Sequence, residues 1–195
     1  HLNPLEWQDD GWPIIGIDHN GDGIGEPVRK YRYPNTGNPI QYIPQRTSDE
    51  FDSEELGLQW RWQANYRDEW FSLTDNPGHL RLFSFPVESK NLWTTPQVIT
   101  QRFPAREFEV TAKLMLNNLK SGDIAGIVAT GNDYATIRVT QDGGVRTVSY
   151  GERPQANEDN DINILNSNRI FSDQLFVRMR VTDGAICSFS YSVDG

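Results

Sequence analysis

The sequence predicts an all-β protein, an antiparallel β-sandwich or jelly roll preceded by a few shorter strands. Two observations carry this prediction. Apolar and polar residues alternate with a period of two in many short segments, and Asp, Asn and Gly turn signals separate those segments. In addition, 16 Gly and 11 Pro are scattered along the chain without a helical period. Short strands at this spacing are typical of sandwiches and jelly rolls.

The first 34 residues predict one small unit. Residues 5–7 and 12–17 read as two strands around an Asp-Asp-Gly turn, and a third extended piece covers 27–31 after a loop rich in Gly and Asp. Three short strands cannot bury an apolar face by themselves. This unit is therefore expected to pack against strands encoded elsewhere in a longer sequence. Residues 35–48 follow Pro34, contain Pro39 and Pro44, and show little periodicity, which indicates a semi-rigid linker.

From residue 49 to 195 the pattern is strand after strand. The predicted strands cover 58–63, 79–85, 108–116, 124–130, 134–140, 145–150, 176–182 and 185–193. The polar stretch 154–168 is predicted to be a long surface loop. Because the last strand is followed by the turn signal Asp194-Gly195, the sandwich is expected to be truncated at its C-terminus. Its exposed edges predict association, strand exchange or a missing partner segment.

Composition excludes several classes of function. The net charge of −9, with no basic cluster of more than two or three residues, argues against a nucleic-acid partner. No apolar run approaches the roughly 18 residues of a membrane span. The single cysteine, Cys187, cannot form an internal disulfide and reads as a small apolar side chain within a strand.

Carboxylate pairs are expected by chance in a chain with 27 acidic residues. Glycoside hydrolysis needs two carboxyl groups set across a cleft, one of them with a raised pKa. Glu54-Glu55 and Asp68-Glu69 are adjacent in sequence, and neighbouring residues of a strand point to opposite faces. They read as solvated surface charge, so the sequence nominates no catalytic residue.

The sharpest local motif is the loop that begins at Asp18. Asp18, Asn20 and Asp22 occupy the first, third and fifth positions of a calcium loop, with Gly23 at the sixth. The match then fails, because Arg29 stands where a bidentate Glu belongs. A hairpin with Asx turns explains the same residues without Ca²⁺. Both interpretations stay open here, and the acidic group of residues 49–52 is a weaker calcium candidate.

Large aromatic residues are frequent in the second region and allow two interpretations. Aromatic rings stack on sugar faces, and they also fill sandwich interiors. Most of these rings alternate along predicted strands, which favours the core. Trp70 and Trp93 lie outside that alternation and are the candidate surface rings for substrate binding.

Several segments together resemble a known family. The stretches 1–7, 11–16 and 22–28 look like the last blade of the five-bladed β-propeller of glycoside hydrolase family 43, the β-xylosidases and α-L-arabinofuranosidases. The stretches 49–62, 78–82 and 91–104 resemble the concanavalin A-like β-sandwich that follows that propeller. The resemblance covers essentially the whole chain.

This resemblance implies inverting hydrolysis by an Asp base and a Glu acid, with a second Asp that tunes the acid. All three lie on earlier blades, so this chain is expected to be inactive alone. The resemblance also implies that His1 could line the pocket floor. A sandwich loop helps to wall the pocket in such enzymes, and no cofactor is required beyond a possible Ca²⁺.

Three functions therefore compete. The first is the C-terminal part of an exo-acting glycosidase that cleaves xylosidic or arabinofuranosidic bonds in plant hemicellulose. The second is a non-catalytic carbohydrate-binding module, and the third is a calcium-stabilised structural domain. The expected partners are xylan, arabinoxylan or arabinan, together with the rest of a parent chain or another copy. The expected location is secreted or periplasmic in a bacterium, with the cytoplasm as the alternative.

Overall fold

The computed structural model describes residues 2–33, 35, 37–39, 41, 43–88, 91–158 and 160–195. It divides into two compact units, His1–Pro44 and Gln45–Gly195. The boundary lies within the predicted linker. The assignment of the first unit to a propeller blade stays a prediction. None of the helices found in the described ranges is long and apolar enough to cross a membrane.

The first unit is built on one short hairpin. Strands β1 (Leu5–Trp7) and β2 (Pro13–Ile15) pair antiparallel as predicted. The chain then returns in an isolated bridge between Ile17 and Glu26. The predicted third strand over 27–31 is wrong, since no strand forms there. Pro27 has no N–H to donate to a ladder, and the next N–H, that of Val28, donates to the side chain of Asn3 instead.

The second unit begins with four strands of two residues each, β3 (Arg61–Trp62), β4 (Phe71–Ser72), β5 (Arg81–Leu82) and β6 (Ile99–Thr100). They form two separate pairs, β3 with β6 and β4 with β5. The longer strands predicted over 58–63 and 79–85 are therefore mostly wrong. The side chain of Leu58, predicted to be on an apolar face, is fully exposed.

The remaining strands are long and regular. They are β7 (Phe108–Met115), β8 (Ile124–Thr130), β9 (Tyr134–Asp142), β10 (Val145–Arg153), β11 (Asn163–Ile170), β12 (Gln174–Thr182) and β13 (Ile186–Ser192). They form a four-stranded sheet in the order β11-β10-β9-β8 and a three-stranded sheet in the order β13-β12-β7. All described pairs in both sheets are antiparallel.

The core lies between these two sheets. Val139 of β9 is paired with Val148 of β10, and both face Leu175 and Val177 of β12 in one buried cluster. Strand β12 contacts β8, and β13 contacts β9. Each of these strands therefore presents alternate residues to the opposite sheet, which confirms the prediction of an all-β sandwich.

The predicted loop over 154–168 is largely wrong. Residues 156–158 form a 3₁₀ turn, and β11 then pairs with β10. Every residue of β11 is exposed except Ile170. An edge strand with polar side chains on both faces lacks the alternation that marks a half-buried strand, so its composition resembles that of a loop.

Candidate functional site

The acidic pairs Glu54-Glu55 and Asp68-Glu69 are both exposed on the surface. Asp68 and Glu69 lie in a 3₁₀ turn, Asp68–Trp70, and the side chain of Glu69 is 60% exposed beside Arg67. Within the ranges that the structure describes, no group of three His, Cys, Asp or Glu side chains could hold a metal ion.

Trp70 is not a surface ring. It is 6% exposed, and its centroid lies 5.6 Å from that of Trp62 in an edge-to-face contact. Trp62 also packs on Tyr66 and Phe71. The interpretation of Trp70 as a sugar platform is therefore wrong. Trp70 departs from the alternation expected of a strand because it is the last residue of a 3₁₀ turn. This turn directs its side chain into the aromatic cluster.

Trp93 is exposed, unlike Trp70. It lies in the 3₁₀ turn Leu92–Thr94, and 40% of its surface is accessible. The side chain of Asn91 caps this turn by accepting a hydrogen bond of 3.0 Å from the Trp93 backbone N–H. Asn91 is only 1% exposed, and its Nδ2 donates to the carbonyl oxygen of Ala156 at 2.7 Å. The turn is thus fixed to the 3₁₀ turn at 156–158.

Further hydrogen bonds fix the same turn from its other side. Gln63 Nε2 donates to the carbonyl oxygens of Leu92 and Trp93 at 2.9 and 2.5 Å. The hydroxyl groups of Thr94 and Thr95 donate to the carbonyl oxygen of Asn91. The backbone that carries the exposed indole is therefore held in one conformation.

The loop at Asp18 uses its oxygens within the loop. Asp18 accepts hydrogen bonds from the N–H groups of Asn20, Gly21 and Gly23. The Asp22 N–H donates to Asn20 Oδ1, and Asn20 Nδ2 donates to Asp22 Oδ2. The hydrogen bond from Gly23 is the largest cause that lowers the pKa of Asp18 from its ordinary value. The hairpin interpretation accounts for all these contacts, and Ca²⁺ at this loop stays a prediction.

Asp49, the first residue of the weaker calcium candidate, accepts several hydrogen bonds at the start of the sandwich unit. Its Oδ2 accepts hydrogen bonds from Gln59 Nε2 and from the indole Nε1 of Trp60, at 3.0 and 2.7 Å. Its Oδ1 accepts the N–H of Phe51, which has a positive φ of 55° and stacks on Trp60. Sequence reasoning missed this role, since the three partners are not regularly spaced.

A cleft of about 210 Å³ lies where the β9–β10 turn meets the end of β11. Its lining includes Arg146, Arg169 and the 83% exposed Phe171. Arg146 Nη1 donates to Asp173 Oδ1 at 2.6 Å, and the guanidinium of Arg169 lies 5.3 Å from the centroid of Phe171. The cleft could not be predicted from the sequence, because its lining residues lie in two separate stretches of the chain. They come together only when β10 pairs with β11.

The face of the four-stranded sheet that points away from the core carries charged and polar side chains. Arg138 of β9 is paired with Ser149 of β10, and the buried Nε of Arg138 has no hydrogen-bond partner among the described residues. Burial lowers the pKa of the Arg138 guanidinium from its ordinary value. Arginine nevertheless remains protonated in proteins, so Arg138 places a positive charge on this face.

His1, the candidate for the pocket floor, lies outside the described residues. Its role stays a prediction.

The family model for the β-xylosidase C-terminal concanavalin A-like domain of glycoside hydrolase family 43 matches residues 48–195. The chain belongs to this family. The match covers the sandwich unit, and it confirms the concanavalin A-like fold class that the sequence predicts.

Curated relatives extend the comparison. The chain is 34% identical over 161 residues to a protein named β-xylosidase from Formosa agariphila. It is 31% identical over 149 residues to a non-reducing end α-L-arabinofuranosidase from Bacteroides ovatus. These matches cover 72% and 74% of this chain but only 27% and 26% of the relatives. The chain thus corresponds to about a quarter of each relative's length.

Solved structures agree with this assignment. The crystal structure of a family 43 glycoside hydrolase from Bacillus licheniformis matches 99% of this chain with a TM-score of 0.71 and 25% identity. The chain covers 35% of that protein. A bifunctional family 43 protein from Bacteroides eggerthii shares the fold at a TM-score of 0.70 and 23% identity.

Proposed function

We propose that this chain is the C-terminal portion of an exo-acting glycosidase that hydrolyses xylosidic or arabinofuranosidic bonds in plant hemicellulose. The observation that carries the proposal is the match of the family model to residues 48–195, nearly the whole sandwich unit. Relatives named for both activities support it. In this proposal the sandwich supports the catalytic part of the parent protein and contributes one wall of its substrate pocket.

The chemistry of the proposed reaction lies outside these residues. Inverting hydrolysis needs one carboxyl group to protonate the leaving oxygen and a second to activate a water on the opposite face of the sugar. Both would come from preceding sequence of the parent protein. The reaction needs no cofactor, because two carboxyl groups and water supply all the proton transfers.

The test compares the parent protein with this chain on aryl β-xyloside and aryl α-L-arabinofuranoside. We expect hydrolysis by the parent protein and none by the 195-residue chain alone. Hydrolysis by the chain alone would place the catalytic carboxyl groups within it and contradict the proposal. Failure of the parent protein on both substrates would contradict the proposed activity.

The parent protein is proposed to act on xylan, arabinoxylan or arabinan outside the bacterial cytoplasm, as a secreted or periplasmic enzyme. Polymers of this size do not cross membranes unaided. Fractionation of the producing cells tests this location, and recovery of the activity only from the cytoplasm would contradict it.

A stabilising Ca²⁺ at the Asp18 loop is the remaining part of the proposal. An ion that binds the folded chain but not the unfolded chain raises the melting temperature by mass action. Melting curves recorded with Ca²⁺ and with a chelator test this, and Asp18→Asn is the matched variant. Identical curves would contradict Ca²⁺ binding. The hydrogen bonds within the hairpin would then be sufficient to explain the conformation of the loop.

A further inference from the structure

We propose that Trp93 and Gln63 form a binding subsite on the sandwich for a pyranose ring of a xylan chain. This inference rests on the proposed function and adds a second contact with the polymer, separate from the site of bond cleavage. The subsite would retain the enzyme on its substrate between cleavage events. Three observations carry it, and the first is the exposure of the ring.

The indole of Trp93 is 40% exposed, whereas Trp70 is 6% exposed in the same unit. An exposed indole leaves a large apolar face in water, and covering that face with the apolar C–H face of a pyranose is favourable. Trp62 and Trp70 pack on one another in the aromatic cluster. Trp93 makes none of the ring-to-ring contacts found among the described residues, so no other aromatic side chain there stacks on its indole.

The second observation is preorganisation. A surface tryptophan on a free loop must lose backbone freedom when it binds, and this lowers its affinity. The turn that carries Trp93 is already ordered, because the buried Asn91 holds its N–H and Gln63 holds its carbonyl oxygen. Asn91 is in turn bonded to Ala156, beyond the end of β10. The ordering free energy is therefore part of folding and does not oppose binding.

The third observation is a polar side chain that contacts the backbone of the same turn. Gln63 is exposed, and its Nε2 is directed to the two carbonyl oxygens of the turn. Its Oε1 therefore points away from them and can accept a sugar hydroxyl. The exposed Thr94 donates its hydroxyl proton to the Asn91 carbonyl, which leaves the lone pairs of Thr94 Oγ1 as a second acceptor. An exposed indole on a turn that also presents hydrogen-bond acceptors matches the chemistry of a neutral sugar.

The experiment measures binding of xylohexaose to the 195-residue chain by isothermal titration calorimetry. We expect Trp93→Ala to weaken binding about ten-fold or more and Trp93→Tyr to weaken it by less than about three-fold, because Tyr retains a flat ring. Phe85→Ala is the matched control, since Phe85 is also an exposed ring of this unit, 38% accessible, and it should bind like the unchanged chain. Thermal melting verifies that each variant is folded.

Two results would overturn the inference. The first is equal affinity of the unchanged chain and Trp93→Ala. The second is the absence of binding by the unchanged chain up to about 10 mM xylohexaose, a concentration that would detect even very weak affinity. In that second case the exposed indole would be assigned to a contact with another part of the parent protein.

The parent protein separates this inference from the proposed function. Trp93→Ala in the parent protein should leave hydrolysis of an aryl xyloside unchanged and reduce the rate on insoluble xylan about three-fold or more at low polymer concentration. Unchanged rates on both substrates would overturn the subsite and leave the proposed function intact. Loss of aryl xyloside hydrolysis would show that Trp93 acts at the cleavage site itself, and it would overturn the separate subsite.

Discussion

Residues 45–107 and 108–192 belong to one unit, and alternation of apolar and polar residues predicts strands in both regions, yet they fold differently. The second region forms strands of seven to nine residues, such as β8 and β9. The strands found in the described part of the first region, 45–88 and 91–107, have two residues each. The strands of the second region are mostly joined by short turns, which place a partner strand beside each one. Alternation therefore predicts a long strand only where a neighbouring strand is available to pair with it.

The two regions also depend on different interactions. The second region buries Val139, Leu175 and Val177 completely between its sheets. The first relies on a cluster of aromatic rings around Trp62 and on side chains that accept or donate several hydrogen bonds, of which Asp49 is the main example. Packing should therefore control the stability of one region, and polar contacts that of the other.

The largest effect is expected from Leu175→Ala. Leu175 is fully buried between the sheets, so truncation leaves a cavity and lowers the free energy of unfolding by about 3 kcal/mol. Leu82→Ala is the control, because Leu82 lies in a two-residue strand and is 52% exposed, and its cost should stay below about 0.5 kcal/mol. Urea denaturation of both variants measures the difference, and equal costs would remove the distinction between the regions.

A smaller effect is expected from Asp49→Ala. The substitution leaves the indole N–H of Trp60 and the amide of Gln59 without their acceptor, at a cost of about 2 kcal/mol. Glu50→Ala changes the adjacent exposed acid and should cost almost nothing. Urea denaturation followed by tryptophan fluorescence reports this region directly. If both variants unfold at the same urea concentration, polar contacts do not control the first region.

The smallest effect is a pH dependence within the second region. Burial, followed by the hydrogen bond to Glu152, raises the pKa of Tyr150 to about 12 from its ordinary value of 10. Because the folded pKa lies above the unfolded one, the neutral phenol contributes stability that is fully present below pH 10 and is lost as the pH rises towards about 12. Denaturation midpoints recorded from pH 9 to 11.5 should fall less for Tyr150→Phe than for the unchanged chain.

Absorbance titration provides the matched measurement for the same group. In Glu152→Gln the phenol loses its anionic partner, so Tyr150 should ionise at a lower pH than in the unchanged chain. An unaltered titration would mean that Glu152 does not influence Tyr150, and the pH dependence would then have to arise from burial alone.

Local patterns predicted the regular part of the fold well. The bounds of β8, Ile124–Thr130, are those expected from the sequence, because short turns flank an apolar run. Strand β11 was missed since its exposed polar residues carry no signal of burial. This segment is a strand because it pairs with β10, and its own residues do not indicate which strand it will pair with.

The candidate site was only partly accessible from the sequence. The departure from alternation at Trp70 and Trp93 was a real signal, but it marked two 3₁₀ turns with opposite outcomes, one buried and one exposed. The anchoring contacts explain the difference. Asn91 reaches Ala156 across 65 positions of sequence, and no local pattern encodes such a contact.

The strand order of the sandwich also dictates a sequence of events during folding. Strands β8 to β11 pair with their neighbours along the chain, whereas β7 pairs with β12 across everything between them. Pairs of strands that are close in sequence lose little chain entropy and form early. The β7–β12 pair has a lower entropy cost once the intervening stretch has become compact. The four-stranded meander should thus acquire protection from amide exchange before the sheet that closes over it.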